Sequence, residues 1–176
     1  MPNPISAFDR DAWRRILAAL ELAVLAHGAQ VDKGGQPYIW HVFRVGFSLL
    51  PDVDACILGI LHDICEDQPQ FSDAARGQLA ERPELLLDLE ALTKLVGERY
   101  DEYLERIGPR WRARQVKLAD LRDNMLAWRH VLAAERVGWA RIVLLRRRYT
   151  SAIAILENWD ADHDIAGQFE FPQKKI

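Results

Sequence analysis

Residues 56–67 read CILGILHDICED, an apolar run that ends in an imidazole and three carboxylates. Charged groups are costly to bury unless they are paired or hold a metal ion, so a core segment rarely ends this way without a function. If the segment is helical, His62 and Glu66 lie four residues apart on one face, and so do Asp63 and Asp67. The stretch therefore predicts a central helix that delivers four polar side chains to a candidate cation site.

Helical periodicity continues on both sides of this stretch, because apolar residues recur every three or four positions. Asp52 is a suitable N-cap for the central helix, and Ser6 or Asp9 for the first helix. No segment alternates apolar and polar residues over a length that predicts a strand. The sequence thus predicts an all-α, single-domain helical bundle of about eight helices over residues 1–160, with a polar tail at 161–176. The predicted helices cover residues 9–27, 38–50, 53–64, 85–92, 99–107, 111–132 and 139–159, with a further short one between 70 and 84.

Composition narrows the class of protein. The chain has 176 residues, of which 49% are hydrophobic and 28% charged, as in an ordinary soluble globular protein. Its net charge of −3 argues against a nucleic-acid partner, because binding a phosphate backbone needs a basic face. The N-terminus has no secretory pattern and no uncharged apolar run reaches roughly 18 residues, so we expect no membrane span. Two cysteines fit a reducing compartment, so we expect a cytoplasmic protein. The sequence leaves the oligomeric state open, with a homo-oligomer among the options.

Three predicted helices, well separated in the sequence, carry groups that bind metals. His41 lies on the second helix, His62 and Asp63 at the end of the third, and Asp120 within the helix at 111–132. Two imidazoles and two carboxylates suit a six-coordinate divalent ion such as Mn²⁺ or Fe²⁺, with positions left for water and substrate. A closed zinc site would more often use cysteine. The sequence therefore predicts a mixed nitrogen and oxygen site for one divalent ion.

The order of these residues resembles the H…HD…D pattern of the HD phosphohydrolase superfamily. Five blocks narrow the resemblance to the alarmone (guanosine 3′,5′-bispyrophosphate) hydrolase domain of Rel/Spo proteins. They span most of the predicted folded part, and no synthetase domain is visible, so we expect a stand-alone small alarmone hydrolase. The blocks are AHGAQ at 26–30, KGGQPY at 33–38, LHDICED at 61–67, LTKL at 92–95 and VKLADLRDNM at 116–125.

The resemblance implies a role for each matching position. The reaction implied is hydrolysis of the 3′-pyrophosphate ester of the alarmone, which releases pyrophosphate and leaves GDP or GTP. Glu66 and Asp67 would position or deprotonate the attacking water. The implied ligands of one Mn²⁺ are His41, His62, Asp63 and Asp120. The residues implied to lie near the nucleotide are Lys33, Tyr38, Lys94 and Asn124.

One departure keeps other functions open. Asp32 stands where the long Rel/Spo enzymes usually carry a basic residue thought to stack on the guanine. An alternative is therefore a phosphohydrolase of the same type that acts on another nucleotide, such as NADPH or a 5′-mononucleotide. A non-catalytic nucleotide-binding module is the less favoured reading. We expect His130 and His163 at the surface, and residues 146–148 (three arginines) on a solvated face, with phosphate binding by these arginines as the minority alternative. His27 either supports the site or only packs.

Overall fold

The computed structural model describes residues 10–164, apart from the side chains of Asp162 and Asp164. The suggested caps Ser6 and Asp9 and most of the predicted tail lie outside this range. Within it the prediction of an all-α bundle is confirmed, and the only extended pairing is an isolated bridge between residues 31 and 37. None of the helices described combines the length and apolar character needed to cross a membrane. The α-helices are α1 (Arg10–His27), α2 (Ile39–Ser48), α3 (Val53–Leu61), α4 (Ile64–Asp67), α5 (Ser72–Gly77), α6 (Pro83–Leu92), α7 (Tyr100–Ile107), α8 (Trp111–Asn124), α9 (Ala127–Val137), α10 (Trp139–Glu157) and α11 (Trp159–Asp164), with a 3₁₀ turn at Pro69–Phe71 between α4 and α5.

Helix α3 is the centre of the bundle, as its apolar sequence predicts. Every residue from 55 to 61 is buried, and α3 contacts α1, α2, α6 and α8. Its first turn is capped by Asp52, whose carboxylate accepts a hydrogen bond from the amide of Ala55 at 2.9 Å. Each large side chain buried in this way, Leu58 for example, stabilises the fold by about 1.5–3 kcal/mol relative to exposure. The end of α3 is therefore held rigidly inside the core.

Helices α2 and α3 cross at a pair of glycines. A Cβ atom built on Gly59 would lie 3.0 Å from the Cα atom of Gly46 and 2.8 Å from Leu49 Cδ1. A Cβ atom on Gly46 would lie 2.5 Å from Ile60 Cγ1. Since a residue with a side chain would push the two backbones apart, the glycines permit the close crossing. The crossing brings the middle of α2 up to the end of α3.

The predicted helix over 53–64 ends earlier than expected. Helix α3 stops at Leu61, His62 and Asp63 form a turn, and the short α4 begins at Ile64. Asp63 has φ −100° and ψ −4°, outside the regular α-helical values. The side chain of His62 bonds to the carbonyl oxygen of Gly59 at 2.8 Å, so it competes with the backbone for this acceptor. The expectation that residues 62–67 lie on one continuous helix is therefore wrong.

The predicted helix over 111–132 is two helices. The chain turns at Met125 and Leu126, where Leu126 has φ −58° and ψ 128°, and α9 then runs on to Val137. Gly138, with φ +85°, separates α9 from α10. Helices α9 and α10 pack on each other through a small apolar cluster that includes Ala133 and Ile142. Together with the break after Leu61 and the separate short helix α11, the break at residues 125–126 gives eleven α-helices among residues 10–164, where eight were expected.

Candidate metal centre

The structure brings the four predicted ligands together from three parts of the chain. Helix α2 supplies His41, the turn after α3 supplies His62 and Asp63, and α8 supplies Asp120. His41 Nε2 lies 3.3 Å from Asp120 Oδ1 and 3.9 Å from Asp63 Oδ2. His62 Nε2 lies 2.8 Å from Asp63 Oδ2 and 3.9 Å from Asp120 Oδ1. The ligand atoms of His41, His62 and Asp63 all fall within 4.8 Å of one another, close enough to share one ion.

The two imidazoles are oriented as metal-binding histidines are. His41 Nδ1 bonds to Asp123 Oδ2 at 2.6 Å, and His62 Nδ1 bonds to the carbonyl oxygen of Gly59 at 2.8 Å. With Nδ1 donating, Nε2 carries the lone pair in both rings. Both Nε2 atoms are buried and make no well-aligned hydrogen bond in the described part of the chain, although His62 Nε2 lies 2.8 Å from Asp63 Oδ2. Because a buried polar atom without a partner is costly, the donor set fits a cation.

Asp123 is the main residue of this site that the sequence did not predict. Its carboxylate accepts hydrogen bonds from His41, from Arg129, and from Arg44 Nε at 2.5 Å. Burial alone would raise the pKa of Asp123, but the hydrogen bonds from His41 and Arg44 hold it well below its usual range. The signal available in the sequence was its position three residues after Asp120 on one helix, which puts both carboxylates on the same side. Asp123 fixes the imidazole of His41 from behind.

Both predicted carboxylate ligands are held by neighbouring side chains. The Tyr38 hydroxyl donates a hydrogen bond to Asp63 Oδ2. Lys117 Nζ lies 2.8 Å from Asp120 Oδ2, while Asn124 Nδ2 donates to Asp120 Oδ1, the oxygen that faces the imidazoles. Tyr38 and Asn124 were predicted to lie near the nucleotide, and they support the carboxylates here. Their contact with a nucleotide stays a prediction.

Glu66 and Asp67 are exposed side chains on α4 at the edge of the four-residue cluster. Glu66 Oε2 accepts a hydrogen bond from the backbone amide of Lys94 at 3.2 Å, and burial of part of the side chain raises the pKa of Glu66. Asp67 Oδ2 accepts from Gln30 Nε2 at 2.7 Å, and Gln30 Oε1 bonds in turn to His27 Nδ1 at 2.7 Å. His27 therefore supports Asp67 through Gln30. A carboxylate of raised pKa is suited to accept a proton from water.

Two members of the cluster, Asp63 and Asp120, line a cavity of about 560 Å³, as do Glu66 and Asp67. Five cationic residues line it. Lys117 and Arg129 are paired with carboxylates, whereas the other three, Lys33, Lys94 and Arg148, come from separate segments. Lys94 Nζ donates to the carbonyl oxygen of Glu98 at 2.5 Å, and no carboxylate among residues 10–164 forms an ion pair with any of the three. The guanidinium of Arg148 lies 4.8 Å from the ring centre of Tyr100. The cavity thus combines acidic residues at the candidate metal centre with cations available to an anion.

One expectation about outlying residues is corrected by the structure. Residues 146–148 are exposed, as expected, and Arg148 also lines the cavity. His130 was expected at the surface, but it is buried and also lines the cavity. His163 is exposed, as predicted, and stacks on Trp159 with ring centres 3.8 Å apart.

A scan of the chain against protein-family models finds no match.

Proposed function

We propose that this protein is a divalent-metal-dependent phosphohydrolase that removes the 3′-pyrophosphate of guanosine 3′,5′-bispyrophosphate or its 5′-triphosphate analogue. The observation that carries the proposal is the convergence of two buried Nε2 atoms, of His41 and His62, on the carboxylates of Asp63 and Asp120. The two carboxylates line a polar cavity that also has cationic residues in its lining, and this combination suits a phosphorylated substrate. The choice of substrate in this proposal rests on the resemblance of the five sequence blocks to alarmone hydrolases.

The donor set favours Mn²⁺ or Fe²⁺. Imidazole nitrogen and carboxylate oxygen together suit borderline to hard divalent ions, and no cysteine belongs to the cluster of described ligand atoms. His41, His62, Asp63 and Asp120 would hold the ion. When bound, such an ion polarises a phosphoryl oxygen and lowers the pKa of bound water from about 15.7 toward roughly 7.

The remaining residues of the cavity would orient the substrate and move the proton. Glu66 and Asp67, fixed by the Lys94 amide and by Gln30, would orient the attacking water and accept its proton. Lys33 and Arg148, on separate segments that line the cavity, would offset the negative charge of the phosphates. Water would attack the phosphorus atom bonded to the 3′ oxygen. As the new oxygen–phosphorus bond forms, the bond from phosphorus to the 3′ oxygen would break, so that pyrophosphate carries the water oxygen and the nucleotide 3′ oxygen takes up a proton.

A second candidate is a phosphohydrolase of the same type acting on NADPH or a 5′-mononucleotide. It is favoured by Asp32, which stands where a base-stacking cation is usual in the enzymes that the sequence resembles. The side chain of Asp32 is only 8% exposed and pairs with Arg129, so it offers no cation to a guanine. This observation leaves the metal chemistry unchanged and affects only the choice of nucleotide.

The experiment is a substrate panel with metal-stripped and Mn²⁺-loaded protein. Guanosine 3′,5′-bispyrophosphate, NADPH and GMP are supplied separately, and pyrophosphate and phosphate release are measured. The proposal expects Mn²⁺-dependent pyrophosphate release from the first compound, abolished by His62→Ala and by Asp63→Asn. Arg122→Gln, which removes an exposed ion pair with Glu157 outside the cavity, serves as the control that keeps activity. Inert Mn²⁺-loaded protein would refute the proposal, and phosphate release from NADPH or GMP alone would favour the second candidate.

A further inference from the structure

The loop 31–36, which carries Lys33, is a compact structure packed against α9. Asp32 Oδ1 accepts hydrogen bonds from the amides of Gly34 at 2.8 Å and Gln36 at 2.9 Å. A Cβ atom on Gly34 would lie 2.9 Å from Leu132 Cβ. Gly35, with φ +79°, adopts a conformation that favours glycine, and a Cβ atom built there would overlap the guanidinium of Arg136, on α9. The position of the loop is therefore defined by its own carboxylate and by its contact with α9.

A single buried side chain joins this loop to the candidate metal centre. Arg129, on α9, is 8% exposed. Its Nη1 atom donates to Asp123 Oδ2, and its Nη2 atom lies 3.3 Å from Asp32 Oδ2. Asp123 Oδ2 also accepts from His41 Nδ1 at 2.6 Å. One guanidinium thus contacts both the carboxylate that orients His41 and the carboxylate that shapes the loop.

We propose that Arg129 is a positioning residue that couples the metal centre to the ligand-facing loop 31–36, so that metal binding at His41 and the ordered form of the loop favour each other. The coupling rests on the proposed function, because it assumes that the centre binds a divalent ion. Asp32, Asp123 and Arg129 touch neither the ion nor, in this scheme, the reacting phosphate. Their part is to set where Lys33 stands relative to His41.

The physical basis of the coupling is the rigid geometry of the guanidinium. Its donors lie in one plane at fixed angles, so two carboxylates bonded to the same fork are held in a fixed relation. The three side chains are each less than one-tenth exposed, so water cannot readily replace a lost partner. A metal that fixes His41 fixes Asp123, and through Arg129 it fixes Asp32. By thermodynamic linkage, whatever orders the loop must then strengthen metal binding by the same factor.

Three substitutions separate the two contacts of Arg129, one with Asp123 and one with Asp32. Asp32→Asn keeps an oxygen for the amides of Gly34 and Gln36 but turns an amide donor toward Arg129. Arg44→Gln removes another cation from Asp123 without touching the loop. Arg129→Gln breaks both contacts. Circular dichroism and urea unfolding of the metal-free proteins confirm that each variant is folded, and Arg122→Gln again serves as the unrelated control.

Two measurements need no catalysis. Calorimetry gives the Mn²⁺ affinity, and hydrogen exchange by mass spectrometry gives the protection of peptides covering 31–36 with and without Mn²⁺. In the native protein Mn²⁺ should slow exchange of the loop. In Arg129→Gln this slowing should disappear, and the affinity should fall roughly 10- to 100-fold, as for other residues that support a metal ligand. Asp32→Asn should weaken Mn²⁺ binding roughly fivefold or more although it lies outside the centre.

The outcomes distinguish this inference from the proposed function. If the native protein binds Mn²⁺ but Asp32→Asn leaves the affinity unchanged, or Mn²⁺ slows loop exchange equally in Arg129→Gln, the coupling is refuted and the metal centre stands. If Arg44→Gln weakens Mn²⁺ binding while the loop still responds to the metal, the coupling through Arg129 is supported. A native protein that binds no divalent ion would overturn both proposals.

Discussion

Replacing Gly59 with alanine tests the helix crossing that brings the two histidines together. The new methyl group would lie 3.0 Å from Gly46 Cα, a backbone atom that cannot move without its helix, and 2.8 Å from Leu49 Cδ1. Overpacking of this kind costs about 1–3 kcal/mol. Alanine in a helix interior is favoured over glycine by about 1 kcal/mol, which offsets part of the cost. We expect the free energy of unfolding to fall by about 0–2 kcal/mol.

Gly77→Ala is the matched control, because it makes the same chemical change in a helix with open space. Gly77 is the last residue of α5, and no atom lies within 4 Å of a Cβ built there. The control should therefore gain up to ~1 kcal/mol from helix propensity alone. The difference between the two variants isolates the overpacking term, about 1–3 kcal/mol. Urea unfolding of both proteins in the presence of a chelator measures this difference without any contribution from metal binding.

The same variant should also weaken Mn²⁺ binding. The carbonyl of Gly59 accepts the hydrogen bond from His62 Nδ1, and the crossing sets the 5.5 Å distance between the ring centres of His41 and His62. Pushing α2 away from α3 should therefore separate the two Nε2 atoms. Calorimetry with Mn²⁺ checks this consequence. A Gly59→Ala protein as stable as Gly77→Ala would refute the packing argument, and unchanged Mn²⁺ affinity would show that the crossing does not set the geometry of the centre.

Three further predictions concern the centre and its cavity. Asp123→Asn should weaken Mn²⁺ binding roughly 10- to 100-fold by calorimetry, while Asp160→Asn, which lies outside the cavity, should leave it unchanged. Burial lowers the pKa of His62, but Asp63 raises it to about 9, so protons compete with the metal below that pH. Mn²⁺ affinity should then rise about tenfold per pH unit from about pH 6 to 8, with one proton released per ion, and a flat profile would contradict this. Arg148→Gln should raise KM for a phosphorylated substrate without changing Mn²⁺ affinity, and an unchanged KM would remove Arg148 from substrate binding.

The helical class and the central position of α3 follow from local sequence. Apolar residues at helical spacing are a short-range signal, and the run at 55–61 is apolar on all sides, so it must be buried. The turn at His62 was not predictable in this way. It depends on a side-chain bond to the carbonyl of Gly59, which competes with the helix for an acceptor. Local pattern therefore gives the element and its burial, while the residue at which it ends depends on a side-chain contact.

The same distinction between local pattern and long-range contact applies to the candidate site. His41, His62, Asp63 and Asp120 could be predicted because metal-binding residue types occur in a characteristic order. Arg129 could not, because its role depends on partners 97 and 6 residues away that only the folded chain brings together. Asp32, the second carboxylate that Arg129 contacts, departs from the pattern that the sequence resembles. The fold explains why an acidic residue stands there, because its carboxylate pairs with the buried guanidinium of Arg129 on α9.

The balance of charge at the centre argues that a proton and a metal ion compete for one position. Asp120 has Lys117 as a cationic partner, and Asp123 has two arginines. Asp63 has no lysine or arginine partner among the described residues; it accepts from the Tyr38 hydroxyl and faces His62 Nε2 at 2.8 Å. Without a metal, a proton on His62 would offset this carboxylate, and for this reason Asp63 and Asp120 raise the pKa of His62 to about 9 despite its burial. A divalent ion bound between His62 and Asp63 would supply two positive charges where the proton supplies one. Because the ion and the proton occupy the same position, metal binding must release the proton from His62.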